Sequence, residues 1–182
     1  FGRGDWPRAA ETLRDGVWAW IEANHRFNSL LWAEEDLARR RDVADAEIAA
    51  NKRNIDGFNQ KRNDATERID EALLSLLAGV AVAAGARMSS ETAGAMIDRL
   101  SILSLKVRAM REQTRRTDAA PGHVDACRGK LAVLAEQRAD LANCLDRLLD
   151  EAEHGTGYFK VYRQFKMYND PSLNPQLYRA SR

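Results

Sequence analysis

The sequence predicts an all-α protein, and three observations support this fold class. Alanine, leucine, arginine, glutamate and aspartate dominate the composition, β-branched residues are sparse, and the 182 residues include only 4 prolines. Apolar residues recur at helical spacing along four long stretches. We expect an antiparallel bundle of four long helices with an aromatic and basic C-terminal arm packed back on it, all within one domain over residues 1–182.

The charge balance argues against nucleic acid or an anionic membrane as a partner. The chain carries 28 basic and 27 acidic residues, for a formal net charge of +1. The longest apolar candidate, from Leu73 to Ala86, is shorter than the roughly 20 residues of a membrane span. No secretory signal is expected. Cys127 and Cys144 lie too far apart along one expected helix to pair, and free thiols predict a cytoplasmic location.

The first helix is expected over about residues 8–40, after Pro7 at a favoured starting position. Its apolar seam includes an amide and consists of Leu13, Val17, Trp20, Asn24, Phe27 and Leu31. A second stripe mixes indoles, an imidazole, an amide and charges: Trp18, Ile21, His25, Asn28, Trp32, Asp36 and Arg39. Two interpretations stay open. Either the stripe packs under a neighbouring segment and satisfies its own polar groups, or it lines a binding groove.

The second helix is expected over about residues 45–79 and carries an arginine in its apolar seam. Ile48, Ile55, Ile69 and Leu76 keep one heptad position, and Arg62 occupies that position midway. Such an arginine must reach the helix edge or find a carboxylate, because an unpaired buried guanidinium is destabilising. A stripe rich in short amides and carboxylates runs beside the seam: Lys52, Asp56, Asn59, Asn63, Glu67 and Asp70.

A tight turn at residues 41–44 makes the first two helices antiparallel neighbours. Counting back from this turn pairs Leu31 with Ile55 and Asn24 with Arg62, so Asn24 is a candidate partner of the arginine. The polar stripes then predict a groove for a small anion, a sugar nucleotide or a segment of a protein partner. Its candidate residues are His25, Asn28, Trp32, Asp36, Arg39, Asn59, Arg62 and Asn63.

The third helix, expected over about residues 93–117, is apolar on two sides and is therefore expected at the centre of the fold. Asp98 would then be a desolvated carboxylate that needs a cation. The fourth helix is expected over about residues 123–154, and Arg138 stands midway along its apolar seam. Counting across the turn places Arg138 within about one helical turn of Asp98, so we predict an ion pair between them.

The tail, residues 155–182, changes character after two glycines. Aromatic and basic side chains alternate there, in the set Tyr158, Phe159, Lys160, Tyr162, Arg163, Phe165, Lys166 and Tyr168. Asparagine and proline then supply turn chemistry. This pattern is compatible with binding to phosphates or bases. We favour an arm docked through its aromatic rings, with its cations facing water.

Four segments together resemble a known family. They are RFNSLLWAEEDLARR (26–40), KRNIDGFNQKRNDATERID (52–70), SSETAGAMIDRLSILSLKVRAM (89–110) and KVYRQFKMYNDPSLNP (160–175). In this order they resemble the bacterial domain-of-unknown-function family 4254. One departure is Ala93, where the family is expected to have proline. The resemblance implies a small helical bacterial protein with a supporting role near glycosyltransferases and cell-envelope polysaccharide assembly. It supplies no reaction and no catalytic residue.

Catalytic chemistry finds little support in the sequence. The three histidines, His25, His123 and His154, form no zinc-binding pair, so no metal site and no cofactor are expected. No phosphate-binding loop occurs, no serine is flanked by glycines, and we identify no cysteine–histidine pair. The preferred function is therefore a non-catalytic binding or accessory protein, and catalytic residues are unknown.

An all-α phosphohydrolase that uses a divalent metal is the alternative function. Glu34, Glu35, Glu67 and Asp70 are its candidate ligands. The expected register places Glu35 near Asn51, and the distance from there to Glu67 is about 24 Å along the helix, too far for one metal ion. A homodimer also stays open, because wide apolar stripes can be buried against a second copy.

Overall fold

The computed structural model describes residues 16–120, 122–163, 167 and 170–179, and most of these residues are helical. The predicted all-α class is confirmed at this level. Some expected features fall on other residues: the start of the first helix near Arg8 and the rings of Phe165 and Tyr168 lie outside the described residues.

Four long helices account for most of the described chain. They are α1, Val17–Leu37; α2, Asp45–Leu76; α3, Ala93–Gln113; and α4, His123–Glu153. Local signals explain where three of them begin. Asp45 and Glu47 place negative charge in the first turn of α2. The Thr92 side chain caps α3 by accepting from the Ala95 amide at 3.1 Å. Gly122 precedes α4 with a φ of +81°, which favours glycine.

Two short strands connect the loop after α2 to the segment after α4. Strand β1 is Arg87–Met88 and strand β2 is Gly157–Tyr158, and the two pair in parallel. The Arg87 side chain also pairs with Glu151 on the last turn of α4. A short helix, α5, Pro175–Tyr178, follows further along the chain. The strand pair therefore fixes the direction in which the C-terminal arm leaves α4.

Helix α3 lies at the centre of the helix packing. It packs against α1, α2 and α4, and α1 and α2 also pack against each other. Asn51 donates to Glu34 at 2.7 Å and Asn24 donates to Thr66 at 3.1 Å, so α1 and α2 run antiparallel. The bond from Asn51 to Glu34 fits the expected register to within one residue, whereas Asn24 bonds Thr66, one turn beyond the expected Arg62. Among the described helices, none is long and apolar enough to cross a membrane.

The main apolar core lies between α3, α4 and the start of the C-terminal arm. Its buried members are Ala93, Met96, Leu100, Leu141, Leu145, Leu148 and Phe159. Phe159 is 3% exposed, so burial of its ring attaches the arm to the helices. The arm therefore contributes to the core.

Charged contacts also attach the arm to α2. Arg163 donates to Glu67 at 2.7 Å and also pairs with Glu71. The hydrogen bond from Arg163 is the main reason why the pKa of Glu71 lies below its ordinary value. Tyr162, by contrast, is mostly exposed. The Arg163 side chain is 55% exposed, as expected of the arm's cations, and it also pairs with two carboxylates of α2.

Candidate functional site

Seven polar side chains gather where α1, α2 and α3 meet, and we name them the polar cluster. The cluster consists of Asn24, His25, Asn28, Arg62, Thr66, Asp98 and Ser101. Asn24 is fully buried and Asn28 is 4% exposed. A buried polar group left without a hydrogen bond costs about 1–3 kcal/mol. The partners inside the cluster therefore show which groups are satisfied by the fold and which remain free to bind.

The Asp98 carboxylate is the centre of the cluster. Its Oδ1 accepts from Asn24 Nδ2 and from Asn28 Nδ2, at 2.8 Å in each case. Its Oδ2 lies 3.9 Å from Arg62 Nε, which is a charge contact longer than a hydrogen bond. The Asp98 side chain is 17% exposed. One carboxylate oxygen is thus committed to buried amides, and the other faces the guanidinium.

The two asparagines also join α1 to α2. Asn28 Nδ2 donates to Asn24 Oδ1 at 3.2 Å, and Asn24 Nδ2 donates to Thr66 Oγ1 at 3.1 Å. Thr66 in turn donates to the backbone carbonyl of Arg62 at 3.0 Å, one turn earlier on α2. These bonds hold the amides in fixed orientations, so the buried half of the cluster is a connected network.

The Arg62 guanidinium is only partly satisfied. Its Nη2 donates to Asn63 Oδ1 at 3.1 Å. Its Nε is buried and has no hydrogen-bond acceptor among the described residues. The side chain is 25% exposed, so Arg62 neither extends fully into water nor forms a closed hydrogen-bonded ion pair. Arg62 therefore offers positive charge at the edge of the cluster, while its unused Nε–H donor is buried.

His25 and Ser101 extend the cluster towards solvent between α1 and α3. Ser101 is buried, and its Oγ accepts from Asn28 Nδ2 at 3.0 Å. The same Oγ lies 2.8 Å from Nδ1 of His25, which is exposed. The hydroxyl can donate its own proton to Nδ1, which leaves the Nε2–H of the ring as a second outward donor. Asp98 bonds the amides and not the imidazole, so this is not the Ser-His-Asp arrangement of hydrolases.

The structure brings together half of the residues expected to form the groove. His25, Asn28 and Arg62 belong to the polar cluster, and Asn63 is its neighbour through the bond from Arg62. Asn59 is half-buried on α2, one turn before Asn63. His25, Asn28, Arg62 and Asn63 therefore share the junction of the first three helices, with Asn59 one turn away on α2.

The remaining three candidates lie elsewhere on α1 or just after it. Trp32 lines a separate groove between α1, α3 and α4. Asp36 is exposed and lies about 16 Å along the helix axis from His25. Arg39 is 70% exposed and pairs with Glu35. Helical periodicity predicts which side chains share one face of α1. It does not predict which neighbouring helix packs on each part of that face, so residues on the same face can have different surroundings.

The predicted ion pair between Asp98 and Arg138 does not form. Asp98 faces Arg62 on α2, whereas Arg138 Nε donates to Ser104 Oγ at 3.2 Å. The reason is geometric. Asp98 and Ser104 are six residues apart, a rotation of roughly 240° around a helix with 3.6 residues per turn, so they point towards different neighbours. Counting residues across the turn between α3 and α4 predicts how far along α3 the Arg138 side chain lies. It does not predict which side of α3 this side chain contacts.

Sequence reasoning missed the roles of Thr66 and Asp70. Arg62, Thr66 and Asp70 recur every four residues, a spacing that places them on one face of α2. Asp70 is 3% exposed, and its Oδ1 accepts from the Gly94 amide at 2.6 Å in the first turn of α3. Burial raises the pKa of Asp70, and hydrogen bonds from Thr92 and Gly94 oppose this rise. Asp70 therefore holds the start of α3 against α2. This contact helps to position Asp98, one turn further along α3, in the polar cluster.

A cysteine–histidine contact was also missed. His123 lies one turn before Cys127 on α4, and its Nε2 is 3.4 Å from Cys127 Sγ. The same Nε2 lies 3.2 Å from Gln113 Oε1. The statement that no cysteine–histidine pair occurs is therefore wrong, and the four-residue spacing was the signal. Cys127 is buried and its contact with His123 lies within α4, whereas the bond between His123 and Gln113 joins α4 to the end of α3.

These observations define a mostly helical protein with a polar site at a three-helix junction. Within the described ranges, no three His, Cys, Asp or Glu side chains are arranged to hold a metal ion. The sequence profile described as "Protein of unknown function (DUF4254)" matches residues 18–161, which is more than half of the chain. The protein therefore belongs to this family, as the resemblance implied. Neither curated proteins nor solved structures gave a significant match.

Proposed function

We propose that this protein is a non-catalytic accessory or binding protein whose polar cluster binds a small anionic ligand, with sugar nucleotides as the preferred class. One observation carries the proposal: Arg62 Nε is buried without an acceptor, beside a carboxylate that is itself held by a buried network. A fold that used Arg62 only for stability would be expected to satisfy this N–H internally. The Arg62 side chain is 25% exposed, so a phosphate of a ligand would bind the exposed part of the guanidinium.

Arg62 and His25 form the donor side of the proposed site. Guanidinium groups bind phosphate oxygens through short, charge-assisted hydrogen bonds. The imidazole adds a second donor when Ser101 occupies its Nδ1. Asp98 offsets part of the Arg62 charge. The site therefore suits an anion that also carries hydroxyl groups better than it suits a bare ion.

Asp98 and one indole supply what a sugar or a base would use. Both amide donors bind Oδ1 of Asp98, so Oδ2 can accept from a ligand hydroxyl. Trp18 is 42% exposed and stands seven residues before His25 on the same face of α1. The indole is about 10 Å along the axis from the imidazole. An aromatic ring at this distance can stack on a sugar or base while the phosphates reach Arg62.

The family resemblance gives the proposal its setting. It implies a bacterial protein that supports glycosyltransferases in cell-envelope polysaccharide assembly, for which sugar nucleotides are the substrates. We place this role in the cytoplasm, where the thiols of Cys127 and Cys144 would stay reduced. The four long helices, packed as an antiparallel bundle, would act as the rigid frame of the site. A short segment of a protein partner is the other proposed occupant, and a homodimer would bring two such sites together.

The metal-dependent phosphohydrolase gains no specific support. Its candidate ligands have other roles in the described structure: Glu34 accepts from Asn51, Glu67 accepts from Arg163, and Asp70 accepts from the start of α3. These contacts spread the carboxylates along the length of α2. Binding without turnover is therefore the function that the geometry supports best.

The test is a thermal-shift and calorimetric screen of sugar nucleotides against the wild type and Arg62→Met. A ligand at one hundred times its Kd stabilises the protein by about 2.7 kcal/mol. For a chain of this size that corresponds to a rise in Tm of roughly 5–10 °C. Arg62→Met should abolish the shift, because methionine keeps the volume and removes the donor.

Arg138→Met is the matched control, since Arg138 also stands midway along a helix seam but bonds Ser104. It should bind the ligand as the wild type does. The proposal fails if no sugar nucleotide shifts the Tm, or if both variants lose binding equally. Phosphate release from a bound nucleotide with Mg²⁺ or Mn²⁺ would contradict its non-catalytic part.

A further inference from the structure

A second concave surface lies outside the polar cluster, over α3 between α1 and α4, and we name it the apolar groove. Its volume is about 750 Å³, within the roughly 300–1,000 Å³ of small-molecule sites. Its apolar walls come from Trp32 on α1, Met110 on α3, and Val133 and Leu134 on α4. The groove is open along one side, so a ligand in it would be covered by protein on about half of its surface.

The helix packing explains why the groove exists. Helix α3 packs against both α1 and α4. Within the described chain, α1 and α4 are not among the helix pairs in extensive contact, so the space above α3 stays open. Ala109 on α3 and Gly129 on α4 contribute little side-chain volume to the surface of the groove. The depth of the groove therefore follows from the fold and from small residues at two positions.

Apolar side chains remain exposed in this groove. Trp32 is 37% exposed and Val133 is 52% exposed. Contiguous apolar surface that is left open to water is unfavourable, and it often marks a binding site. On α4, the residues that line the groove run from Ala126 to Gln137, a length of about 16 Å. The exposed apolar strip is therefore long and narrow.

The charge of the groove has one sign. The charged side chains that line it, among the described residues, are Lys106 on α3 and Lys130 on α4. Both lysines are exposed. A lysine can lay its methylene stem along apolar surface while its ammonium group meets an anion. An occupant that complements this groove therefore needs an apolar body and a negatively charged end.

We propose that the apolar groove binds one molecule of an anionic amphiphile, with its alkyl chain over α3 and its anionic head between Lys106 and Lys130. The length and apolar walls of the groove match a single medium-length chain, and the two lysines match one phosphate or carboxylate. The occupant is a free molecule seated in the groove and not a membrane surface. This site lies beyond the proposed sugar-nucleotide function and does not depend on it.

The experiment is calorimetric titration with dodecyl phosphate below its critical micelle concentration. We expect saturable binding of one molecule per chain. Decyl phosphate should bind about fourfold more weakly, because two methylenes are each about half-covered by the groove. Dodecyltrimethylammonium has the same chain and the opposite charge, and it should not bind.

Two substitutions assign the binding to the groove. Val133→Glu places a carboxylate among the apolar walls, and the double variant Lys106→Glu/Lys130→Glu reverses the charge. Each should weaken binding of dodecyl phosphate at least tenfold. The matched controls, Val82→Glu and Lys52→Glu, change exposed residues outside the groove and should bind as the wild type does. The replaced residues are all exposed, so circular dichroism and Tm should stay close to those of the wild type.

Several results would overturn the proposal. They are no saturable binding of dodecyl phosphate, equal binding of the cationic amphiphile, and full binding by the variants. Binding only to anionic phospholipid vesicles, lost in Val133→Glu, would assign the groove to a membrane surface. A dimer in sedimentation that Val133→Glu dissociates would assign it to a second copy of the chain.

Discussion

Two sides of helix α3 face different kinds of neighbour. Towards α1 and α2, Asp98 and Ser101 meet amides, an imidazole and a guanidinium. Towards α4 and the C-terminal arm, Met96 and Leu100 belong to the main apolar core. A buried polar network contributes little net stability, whereas apolar burial contributes about 25 cal/mol per Å². The apolar side therefore stabilises the fold, and we propose that the polar side serves binding.

Two arginines sharpen this comparison. Arg62 and Arg138 stand midway along the seams of α2 and α4, and sequence reasoning treats them alike. In the structure, Arg62 lies 3.9 Å from a carboxylate and keeps an unused donor, while Arg138 bonds a serine hydroxyl. The side of α3 that each arginine faces decides its environment. Only Arg62 stands where charge and an unused donor coincide.

The largest effect is expected on the apolar side. Leu148 is 1% exposed, and Leu148→Ala should lower the free energy of unfolding by about 3–4 kcal/mol, because it leaves a cavity in the core. Urea denaturation at pH 7 measures this change. If Leu148→Ala lowers the free energy of unfolding by less than Asp98→Ala does, the apolar side of α3 is not the main source of stability.

The next effect is expected at the centre of the polar cluster. Asp98→Ala removes the acceptor of two buried amides and the charge that faces Arg62, so it should cost about 2–3 kcal/mol. Asp98→Asn keeps an acceptor oxygen and should cost about 1 kcal/mol. Thermal denaturation compares the two variants. An Asp98→Ala protein that melts at the wild-type temperature would show that the network contributes nothing to the fold.

A smaller effect is expected for the arginines themselves. Arg62→Met and Arg138→Met should each change the free energy of unfolding by about 1 kcal/mol or less, because methionine fills the space and neither Asp98 nor Ser104 is left as an isolated buried charge. Asp98 keeps its two amide donors in Arg62→Met. The same denaturation experiments measure both variants. A loss in Arg62→Met equal to that of Asp98→Ala would make Arg62 a structural residue.

The smallest effect is a pH dependence at Asp70. Burial raises its pKa, so the folded protein holds this proton more tightly than the unfolded chain does. The resulting stabilisation is present below the unfolded pKa of about 4 and is lost as the pH rises through the folded pKa. Asp70→Asn keeps an oxygen for the Gly94 amide and does not titrate. Relative to the wild type, this variant should gain stability between pH 4 and pH 7, as measured by urea denaturation at both values.

Much of the helical architecture could be predicted from the sequence, because period and capping are local properties. The Thr92 cap and the two apolar sides of α3 are readable in this way. The partners of Asp98 were not predictable, since they depend on the rotation of α3 against its neighbours. The expected register between α1 and α2 fits the bond from Asn51 to Glu34 to within one residue, but the side chain of Asn24 bonds Thr66, one turn beyond Arg62.

The candidate site shows the same limit. Side chains on one face of α1, such as His25 and Trp32, were predicted to share a groove. The structure separates them, because His25 bonds Ser101 on α3 while α4 borders Trp32. The contact between His123 and Cys127 was visible in the sequence as a four-residue spacing and was overlooked.

The most direct measurement is the side-chain Nε–H resonance of each arginine in a ¹⁵N-labelled sample during titration with a sugar nucleotide. We predict that the Arg62 resonance shifts and saturates with the ligand, because a phosphate binds the guanidinium, while the Arg138 resonance stays in place. If the Arg62 resonance does not move, or if both resonances move together, the polar cluster is not a binding site.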